Sequence, residues 1–357
     1  MENIIMFKLN AYTKFIGGAV LACGLSSGAM AKDFSAVYFV HGTLGDKSFM
    51  DSAQRGMDIV KKELGVKTKT VEAGLDSTQW ESSFRDIVEF EDYDVYIAVT
   101  YPMASIVQEL AQEYPEKKFV LVDATVNYDA CSNKCDNVYS LLFKQNEASY
   151  LAGAYAAEMT KSDVSLMNKK SKVVGIVGGQ EVPVIKDFVV GFEQGAKEID
   201  PETKILVQYA NSWTDPAKGK EIAKALYGQG ADIVFSVAGG TGQGVFEAAA
   251  ESNKYAIGVD ADQSQLLQES NLKQASLILT SVLKNVDAGL SFALNKAYEG
   301  KLQYGIAEYV GVKEGSVGLA KNNVYKQATP KDIQVKIDAI ENDIINGKIK
   351  INSAFKH

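Results

Sequence analysis

Residues 39–50 read Phe39-Val-His-Gly-Thr-Leu-Gly-Asp46-Lys-Ser-Phe49-Met50 and join a predicted strand to a predicted amphipathic helix. The two glycines allow a sharp turn, and Ser48 with Asp51 three residues later is a capping-box pattern for the start of the helix. In a chain that alternates strands and helices, such a turn lies at the carboxyl end of a parallel sheet, where ligands bind. The pattern therefore predicts that Asp46 and Phe49 face a crevice. It leaves open the alternative that they only cap and staple the helix.

The first 31 residues resemble an export signal. Lys8 and Lys14 precede an apolar run that is too short to span a bilayer, and Ala29-Met30-Ala31 provides the small residues of a cleavage site. We therefore expect export to the periplasm and cleavage after Ala31. A rival pattern, Val20-Leu21-Ala22-Cys23, is similar to a bacterial lipobox and would leave a membrane-anchored lipoprotein instead.

The chain is acidic. Its 45 Asp and Glu residues outnumber 37 Lys and Arg residues, which gives a net charge of −8. Removal of residues 1–31 deletes one net positive charge and moves this value to −9. Nucleic acids and anionic membrane surfaces need a basic footprint on the protein. The charge therefore argues against both as partners.

Two cysteines, Cys131 and Cys135, follow the predicted cleavage site. In an oxidising exported compartment, a pair this close in a loop predicts a disulfide. Metal binding would need further soft ligands, and the sequence contains only two histidines. We therefore expect no metal site.

The remaining 326 of 357 residues are too many for one ordinary core. Strand, loop and helix patterns alternate, and the alternation restarts after a crossing segment at residues 138–153. Apolar runs such as Val95-Tyr-Ile-Ala-Val99 suit strands that are buried on both faces. The sequence predicts an α/β protein of two doubly wound lobes. The N-terminal lobe takes residues 32–144 and 262–290, and the C-terminal lobe takes residues 145–261 and 291–357.

The sequence lacks the motifs of the common enzyme classes. A dehydrogenase would need Gly-x-Gly-x-x-Gly in the first strand–helix turn, whereas Gly240-Thr-Gly242-Gln-Gly244 comes late and is followed by Val245. There is no P-loop and no His-Glu-x-x-His motif, and two histidines offer no credible Ser-His-Asp set. We therefore expect neither catalysis nor a cofactor.

Five sequence blocks, in the correct order and spread over nearly the whole mature chain, resemble the basic membrane protein family. These are PnrA-like substrate-binding lipoproteins of ABC transporters. The resemblance implies a type I periplasmic binding protein fold, in which a three-strand hinge joins two lobes and the ligand lies in the cleft. It also implies a purine nucleoside as ligand and an ABC permease as partner. The blocks are Gly45-Asp-Lys-Ser-Phe49, Phe143-Lys-Gln-Asn-Glu147, Gly175-Ile-Val-Gly-Gly179, Gly258-Val-Asp260 and Thr280-Ser-Val-Leu-Lys284-Asn-Val-Asp287.

The family likeness and the residue types together indicate a ligand site. Phe49 and Trp213 would clamp a flat base from the two lobes. Asp123 matches the family carboxylate that reads the base edge, and Asp260 and Lys284 match positions that hold the sugar hydroxyls. Phe143 and Phe188 are expected to be core residues. The remaining candidates are Gly239 and Gly240, which would let the backbone approach the ligand, Asp46 of the first loop, and Gln145 and Asn146 of the crossing segment.

The first loop departs from the family pattern at two places. His41-Gly42-Thr43 stands where the family usually has Thr-Asp-x-Gly-Gly, and Met50 stands where an Asn is common. Another flat or hydroxylated solute, such as a flavin or a sugar, is therefore an alternative ligand. A sensory receptor of the same fold is an alternative function.

Overall fold

The structure is a computed structural model that describes residues 33–355. The predicted export signal, its cleavage site and the lipobox-like motif lie outside these residues. Twelve β-strands and twelve α-helices are found within the described range. The strands are β1 (Ser35–Val40), β2 (Lys67–Glu72), β3 (Val95–Val99), β4 (Phe119–Val122), β5 (Val138–Phe143), β6 (Val173–Gly178), β7 (Lys204–Tyr209), β8 (Ala231–Val237), β9 (Tyr255–Asp260), β10 (Ile278–Lys284), β11 (Ile306–Val310) and β12 (Val317–Leu319).

The strands form two six-stranded sheets with the same strand order. The first sheet runs β2-β1-β3-β4-β5-β11 and is parallel throughout. The second runs β7-β6-β8-β9-β10-β12, and only β12 is antiparallel. The predicted class, two doubly wound α/β lobes, is confirmed.

Helices cover both faces of each sheet. The helices are α1 (Phe49–Leu64), α2 (Trp80–Phe90), α3 (Ala104–Glu113), α4 (Gln145–Thr160), α5 (Pro183–Ile199), α6 (Pro216–Gly228), α7 (Gln243–Ser252), α8 (Gln263–Leu267), α9 (Leu272–Ala275), α10 (Val286–Tyr298), α11 (Asn323–Ala328) and α12 (Lys331–Ile345). In the first sheet, α2 and α3 pack on one face and α1 on the other, while α6 and α7 cover one face of the second sheet and α4 the other.

The chain passes between the sheets three times, between β5 and α4, between β10 and α10, and between β11 and β12. Backbone hydrogen bonds tie the crossings together. The amide of Lys144 donates to the Val310 carbonyl at 2.8 Å, and the amide of Asn285 donates to the Ser316 carbonyl at 2.9 Å. These are the three connections expected of the hinge.

Sheet membership differs from the predicted lobe composition in two strands. β10 was expected in the N-terminal lobe with residues 262–290, but it pairs with β9 in the second sheet. β11 was expected in the C-terminal lobe with residues 291–357, but it pairs with β5 in the first sheet. The alternation of strands and helices in the sequence does not show where the chain crosses to the other sheet, because a strand before a crossing is as apolar as one after it. The lobe boundaries as a whole stay a prediction.

Cys131 and Cys135 lie side by side in the connection between β4 and β5, with Cα atoms 5.5 Å apart. Among the described helices, none has the length and apolar character that a membrane crossing requires. Within residues 33–355, no group of three or more His, Cys, Asp or Glu side chains is arranged to hold a metal ion.

Helices α4 and α5 are in direct backbone contact through glycines. A Cβ atom built on Gly153 would lie 2.0 Å from the carbonyl oxygen of Phe192, and one built on Gly195 would lie 2.0 Å from that of Tyr150. Nearly every residue of α4 is buried. The close approach therefore fixes α4, the first helix after a crossing, against α5 on the second sheet.

We expect Gly153→Ala to lower the free energy of unfolding by about 1–3 kcal/mol, because the added methyl group forces the two helices apart. The matched control is Gly228→Ala at the end of α6, where a Cβ atom meets nothing within 4 Å. That variant should be neutral or more stable by up to about 1 kcal/mol. Urea unfolding followed by circular dichroism measures both changes. Equal stability of Gly153→Ala and the parent protein would show that the helices do not depend on this contact.

Candidate functional site

The first loop is held by the side chain of Asp46. One of its carboxylate oxygens accepts from the backbone amides of Ser48 at 2.9 Å and Asp51 at 3.1 Å, and the other accepts from that of Met50 at 2.9 Å. Burial raises the pKa of the Asp46 carboxyl, and these hydrogen bonds oppose the rise. Asp46 therefore caps α1, which is the alternative that the sequence left open.

The predicted capping box at the start of α1 is wrong. The Ser48 side chain makes no capping hydrogen bond, and the Asp51 carboxylate accepts from the amides of Gly45 at 2.7 Å and Lys47 at 2.8 Å. Asp46 already takes the amide that the Ser48 hydroxyl would have bonded. The hydroxyl of Ser48 is therefore available for another partner.

That partner comes from the second sheet. The Ser48 hydroxyl donates to the carboxylate of Asp260 at the end of β9. The side-chain amide of Gln263, at the start of α8 between two strands of the second sheet, donates to the carbonyl of Lys47 at 3.2 Å. Sequence reasoning missed Ser48 and Gln263 as residues that join the lobes, although the first lies inside the Gly45–Phe49 block.

Asp123 and Lys284 form a second contact between the sheets. Asp123 follows β4 and Lys284 ends β10, and the Lys284 ammonium lies 2.6 Å from a carboxylate oxygen of Asp123. Both side chains are buried, with 8% of Asp123 and 2% of Lys284 exposed. Burial raises the pKa of the Asp123 carboxyl, and the charge of Lys284 counteracts this. Removing one partner of such a buried ion pair strongly destabilises the folded protein, because the other charge is then buried without a partner.

Three aromatic rings surround the same ammonium group. The Lys284 nitrogen lies 5.4 Å from the ring centre of Phe49, 5.5 Å from that of Phe143 and 5.4 Å from that of Phe188. These distances allow cation–π attraction. Phe143 and Phe188 are buried as expected of core residues, and they also wall the site. No sequence signal distinguishes that role from ordinary packing.

Asp260 is electrostatically perturbed. Burial raises the pKa of its carboxyl to about 6, and the nearby Asp46 and Asp123 reinforce the rise, whereas Lys284 and the Ser48 hydroxyl oppose it. Its backbone is in the left-handed region, with φ of 64°, as is that of Asp123 at 62°. Two carboxylates at strand ends therefore converge on one lysine.

Trp213 and the glycines after β8 form another part of the second lobe that lies near the first loop. The half-buried ring of Trp213 packs on Gly179, where a Cβ atom would come within 2.3 Å of the ring. A Cβ atom on Gly240 would lie 3.9 Å from the Cα atom of Asp46. Gly239 has φ of 55°, a conformation that favours glycine. These residues bring the second lobe next to the first loop, and the clamp between Phe49 and Trp213 stays a prediction.

Asn146 is turned to a different partner. Its side-chain amide donates to the backbone carbonyl of Asn352 at 3.0 Å, so the structure does not bring it into the group around Lys284. The neighbouring Gln145 donates to the carboxylate of Asp187 at 2.6 Å.

The two departures in the first loop have become packing residues. The ring of His41 is buried, lies 3.0 Å from the hydroxyl of Thr100 through Nε2, and packs edge-on against Trp80. Burial lowers the pKa of His41 to about 4, so the ring is neutral at physiological pH. The sulfur of Met50 accepts from the hydroxyl of Tyr38 at 3.5 Å.

Comparison with known proteins identifies the family. Residues 34–354 match the family described as ABC transporter substrate-binding protein PnrA-like. The CD4+ T-cell-stimulating antigen of Listeria monocytogenes is 31% identical over 356 residues, which cover 94% of each chain. The ABC transporter nucleoside-binding protein BmpA of Lactococcus lactis is 31% identical over 342 residues, which cover 92% of each chain.

A solved structure extends the likeness to three dimensions. The solute-binding protein of an ABC transporter system from Aeropyrum pernix K1 superposes with a TM-score of 0.76 at 26% identity, covering 91% of this chain and 94% of its own. The family and the fold agree, and both describe transport proteins rather than enzymes. The chain therefore belongs to the PnrA-like family of ABC transporter substrate-binding proteins.

Proposed function

We propose that this protein captures a purine nucleoside between its two lobes and delivers it to the permease subunits of an ABC transporter. The observation that carries the proposal is the buried polar group at which both sheets end, with Asp123 from the first sheet and Asp260 and Lys284 from the second. The name of the Lactococcus lactis relative, a nucleoside-binding protein, supports the ligand class.

The polar groups suit a solute that carries hydroxyl or amine donors. Asp123 would read the base edge, while Asp260 would accept from the ribose hydroxyls and Lys284 would donate to their oxygens. A buried polar group without a partner costs about 1–3 kcal/mol. A closed cleft with these three side chains therefore favours a hydroxylated ligand over an apolar one.

The aromatic groups suit a flat ligand. Phe49 from the first lobe and Trp213 from the second would stack on the two faces of the base, and each base–aromatic contact contributes about 1–3 kcal/mol. Phe143 and Phe188 would complete the apolar wall beside Lys284. Gly239 and Gly240 would let the second lobe approach the ligand without a side chain in the way.

Two candidates act indirectly in this proposal. Asp46 shapes the first loop through its three backbone hydrogen bonds and so orients Phe49 and Ser48. Asn146 holds the C-terminal segment through the carbonyl of Asn352.

The proposed cellular setting is the periplasm, with residues 1–31 removed after Ala31. In that oxidising compartment Cys131 and Cys135 would form a disulfide, and their Cα separation of 5.5 Å lies in the range that disulfides adopt. Intact-mass analysis of the protein from its native host should give a chain that starts at Lys32 and carries no lipid. A chain that starts at a lipid-modified Cys23 would replace this proposal with a membrane anchor.

A purine nucleoside should raise the melting temperature of ligand-stripped, refolded protein, because ligand that binds only the folded state stabilises it by RT ln(1 + [L]/Kd). We expect a Kd in the micromolar range or below, equivalent to about −8 kcal/mol or more favourable. A thermal-shift panel of nucleosides, free bases, pentoses and flavins measures this. A response to sugars or flavins alone would replace the nucleoside with that class.

The clamp is tested by Trp213→Ala, which should weaken nucleoside binding by about 1–3 kcal/mol. The control is Phe90→Ala, an aromatic residue that is 74% exposed at the end of α2, and it should bind as the parent does. Unchanged affinity in Trp213→Ala would remove this residue from the site. Loss of nucleoside uptake on gene deletion separates a transport receptor from a sensory one.

Nucleoside affinity should fall as the pH drops below about 6. The ribose hydroxyls donate to ionised Asp260, whose pKa burial raises to about 6, so protonation removes the better acceptor. Lys284, Asp46 and Asp123 are the charged groups that act on Asp260. If only ionised Asp260 binds the nucleoside, the affinity should fall by up to about tenfold per pH unit below this pKa. Isothermal titration between pH 5 and 7.5 measures it. Asp260→Asn should flatten this dependence, whereas Asp58→Asn on the exposed face of α1 should keep it.

A further inference from the structure

We infer that Asp187 is a positioning residue that fixes the side-chain amide of Gln145 as a hydrogen-bond acceptor for the solute and fastens the C-terminal segment beside the cleft. The inference deepens the proposed function and rests on it. It starts from a buried carboxylate outside the group around Lys284.

Asp187 lies in α5 with 1% of its surface exposed. One of its oxygens accepts from the side chain of Gln145 at 2.6 Å. The other accepts from the hydroxyl of Ser353 at 2.7 Å and from the amide of Ala354 at 2.8 Å. Burial raises the pKa of the Asp187 carboxyl, while these hydrogen bonds and the charge of Lys284 oppose the rise. One carboxylate thus joins the start of α4, the C-terminal segment and the edge of the ligand site.

This arrangement determines which way the amide of Gln145 points. An ionised carboxylate only accepts hydrogen bonds, so Gln145 must turn its NH₂ group towards Asp187 and its oxygen away. Gln145 is 1% exposed. Within residues 33–355, its Oε1 atom is a buried acceptor with no hydrogen-bond partner from the protein. Buried acceptors of this kind are rare in folded proteins.

Two rings of the group around Lys284 flank the Gln145–Asp187 pair in sequence, and the charge of Lys284 opposes the rise that burial causes in the pKa of Asp187. Phe143, two residues earlier, has its ring 5.5 Å from the Lys284 ammonium. Phe188, which directly follows Asp187, has its ring 5.4 Å from the same atom. In this inference, a hydroxyl or amine donor of the solute supplies the partner that the free oxygen of Gln145 lacks.

The C-terminal segment holds this arrangement from outside. The amide of Asn352 donates to the side chain of Gln194 at 2.8 Å, and its carbonyl accepts from Asn146 at 3.0 Å. Together with Ser353 and Ala354, it links the first turn of α4 to Asp187 and Gln194 of α5. The carboxylate that orients Gln145 is thus itself held by Ser353 and Ala354, which lie more than two hundred positions after Gln145 in sequence.

The first experiment measures the affinity of Gln145→Leu by isothermal titration, with whichever of adenosine, inosine and guanosine binds the parent most tightly. The variant should bind about tenfold more weakly, because the solute donor loses its acceptor. The control is Gln229→Leu, an exposed residue at the end of α6, which should bind as the parent does. Melting curves of the ligand-free proteins show that each variant is folded.

The second experiment identifies the solute group. Deoxy and deamino analogues of the chosen nucleoside are titrated against the parent and Gln145→Leu. One analogue should bind the parent more weakly than the full nucleoside does, because it lacks the donor that bonds to Gln145. The same analogue should bind Gln145→Leu as well as the full nucleoside does, because this variant already lacks the acceptor. A parallel loss in both proteins for every analogue would overturn a direct contact.

The third experiment tests the positioning role. In Asp187→Asn the new side chain presents a donor to Gln145, which should reverse its amide and weaken nucleoside binding although Gln145 is unchanged. The double variant with Gln145→Leu should bind no more weakly than Gln145→Leu alone. Additive losses of affinity would show that Asp187 acts independently of Gln145 and would overturn the positioning role. If the parent itself binds no nucleoside, the proposed function fails, whereas a parent that binds with Gln145→Leu unaffected overturns this inference alone.

Discussion

The structure depends on burying one positive charge where two sheets end. The Lys284 ammonium has almost no exposed surface and is offset by Asp123 at 2.6 Å and by the faces of three phenylalanine rings. Desolvating an ammonium group costs several kcal/mol unless it is paired. Because separating the pair would leave a buried charge without a partner, the pair keeps the end of β4 in the first sheet next to the end of β10 in the second, beside a crossing of the chain. The pair therefore helps to determine how the two sheets meet.

The other polar contacts follow from this centre. Burial raises the pKa of Asp260 to about 6, the nearby carboxylates of Asp46 and Asp123 add to the rise, and Lys284 opposes it. The hydroxyl of Ser48 is free to donate to Asp260 because Asp46, not Ser48, accepts from the first amides of α1. The loop departures fit the same arrangement, since neutral His41 and Met50 pack inside the first lobe, and the polar contacts to the second lobe come from Ser48 and the Lys47 carbonyl.

The sequence predicts the local elements and the strand-end residues well, because buried parallel strands are continuous apolar runs and their last residues have no other reason to be charged. Asp123, Asp260 and Lys284 are brought together as the family resemblance implied. The competition between Asp46 and Ser48 for the same amides could not be predicted, since both patterns suit a helix start. Phe143 and Phe188 follow the same pattern as any core residue. β11 and β12 are short and partly exposed at sheet edges, so they carry little periodic signal, and the distribution of β10 and β11 between the sheets depends on pairings that no local pattern encodes.

The three crossings also govern the order in which the molecule can be completed. β11 is the edge strand of the first sheet, yet its residues follow all five strands of the second sheet that precede β12. In a chain that folds from its N-terminus, β5 keeps an unpaired edge until residue 310 is available, and such edges are prone to intermolecular pairing. Neither lobe is a contiguous stretch of chain, so neither can be produced by simple truncation. Both sheets are therefore completed only when almost the whole chain is available, and until then their open edges can pair with those of neighbouring molecules.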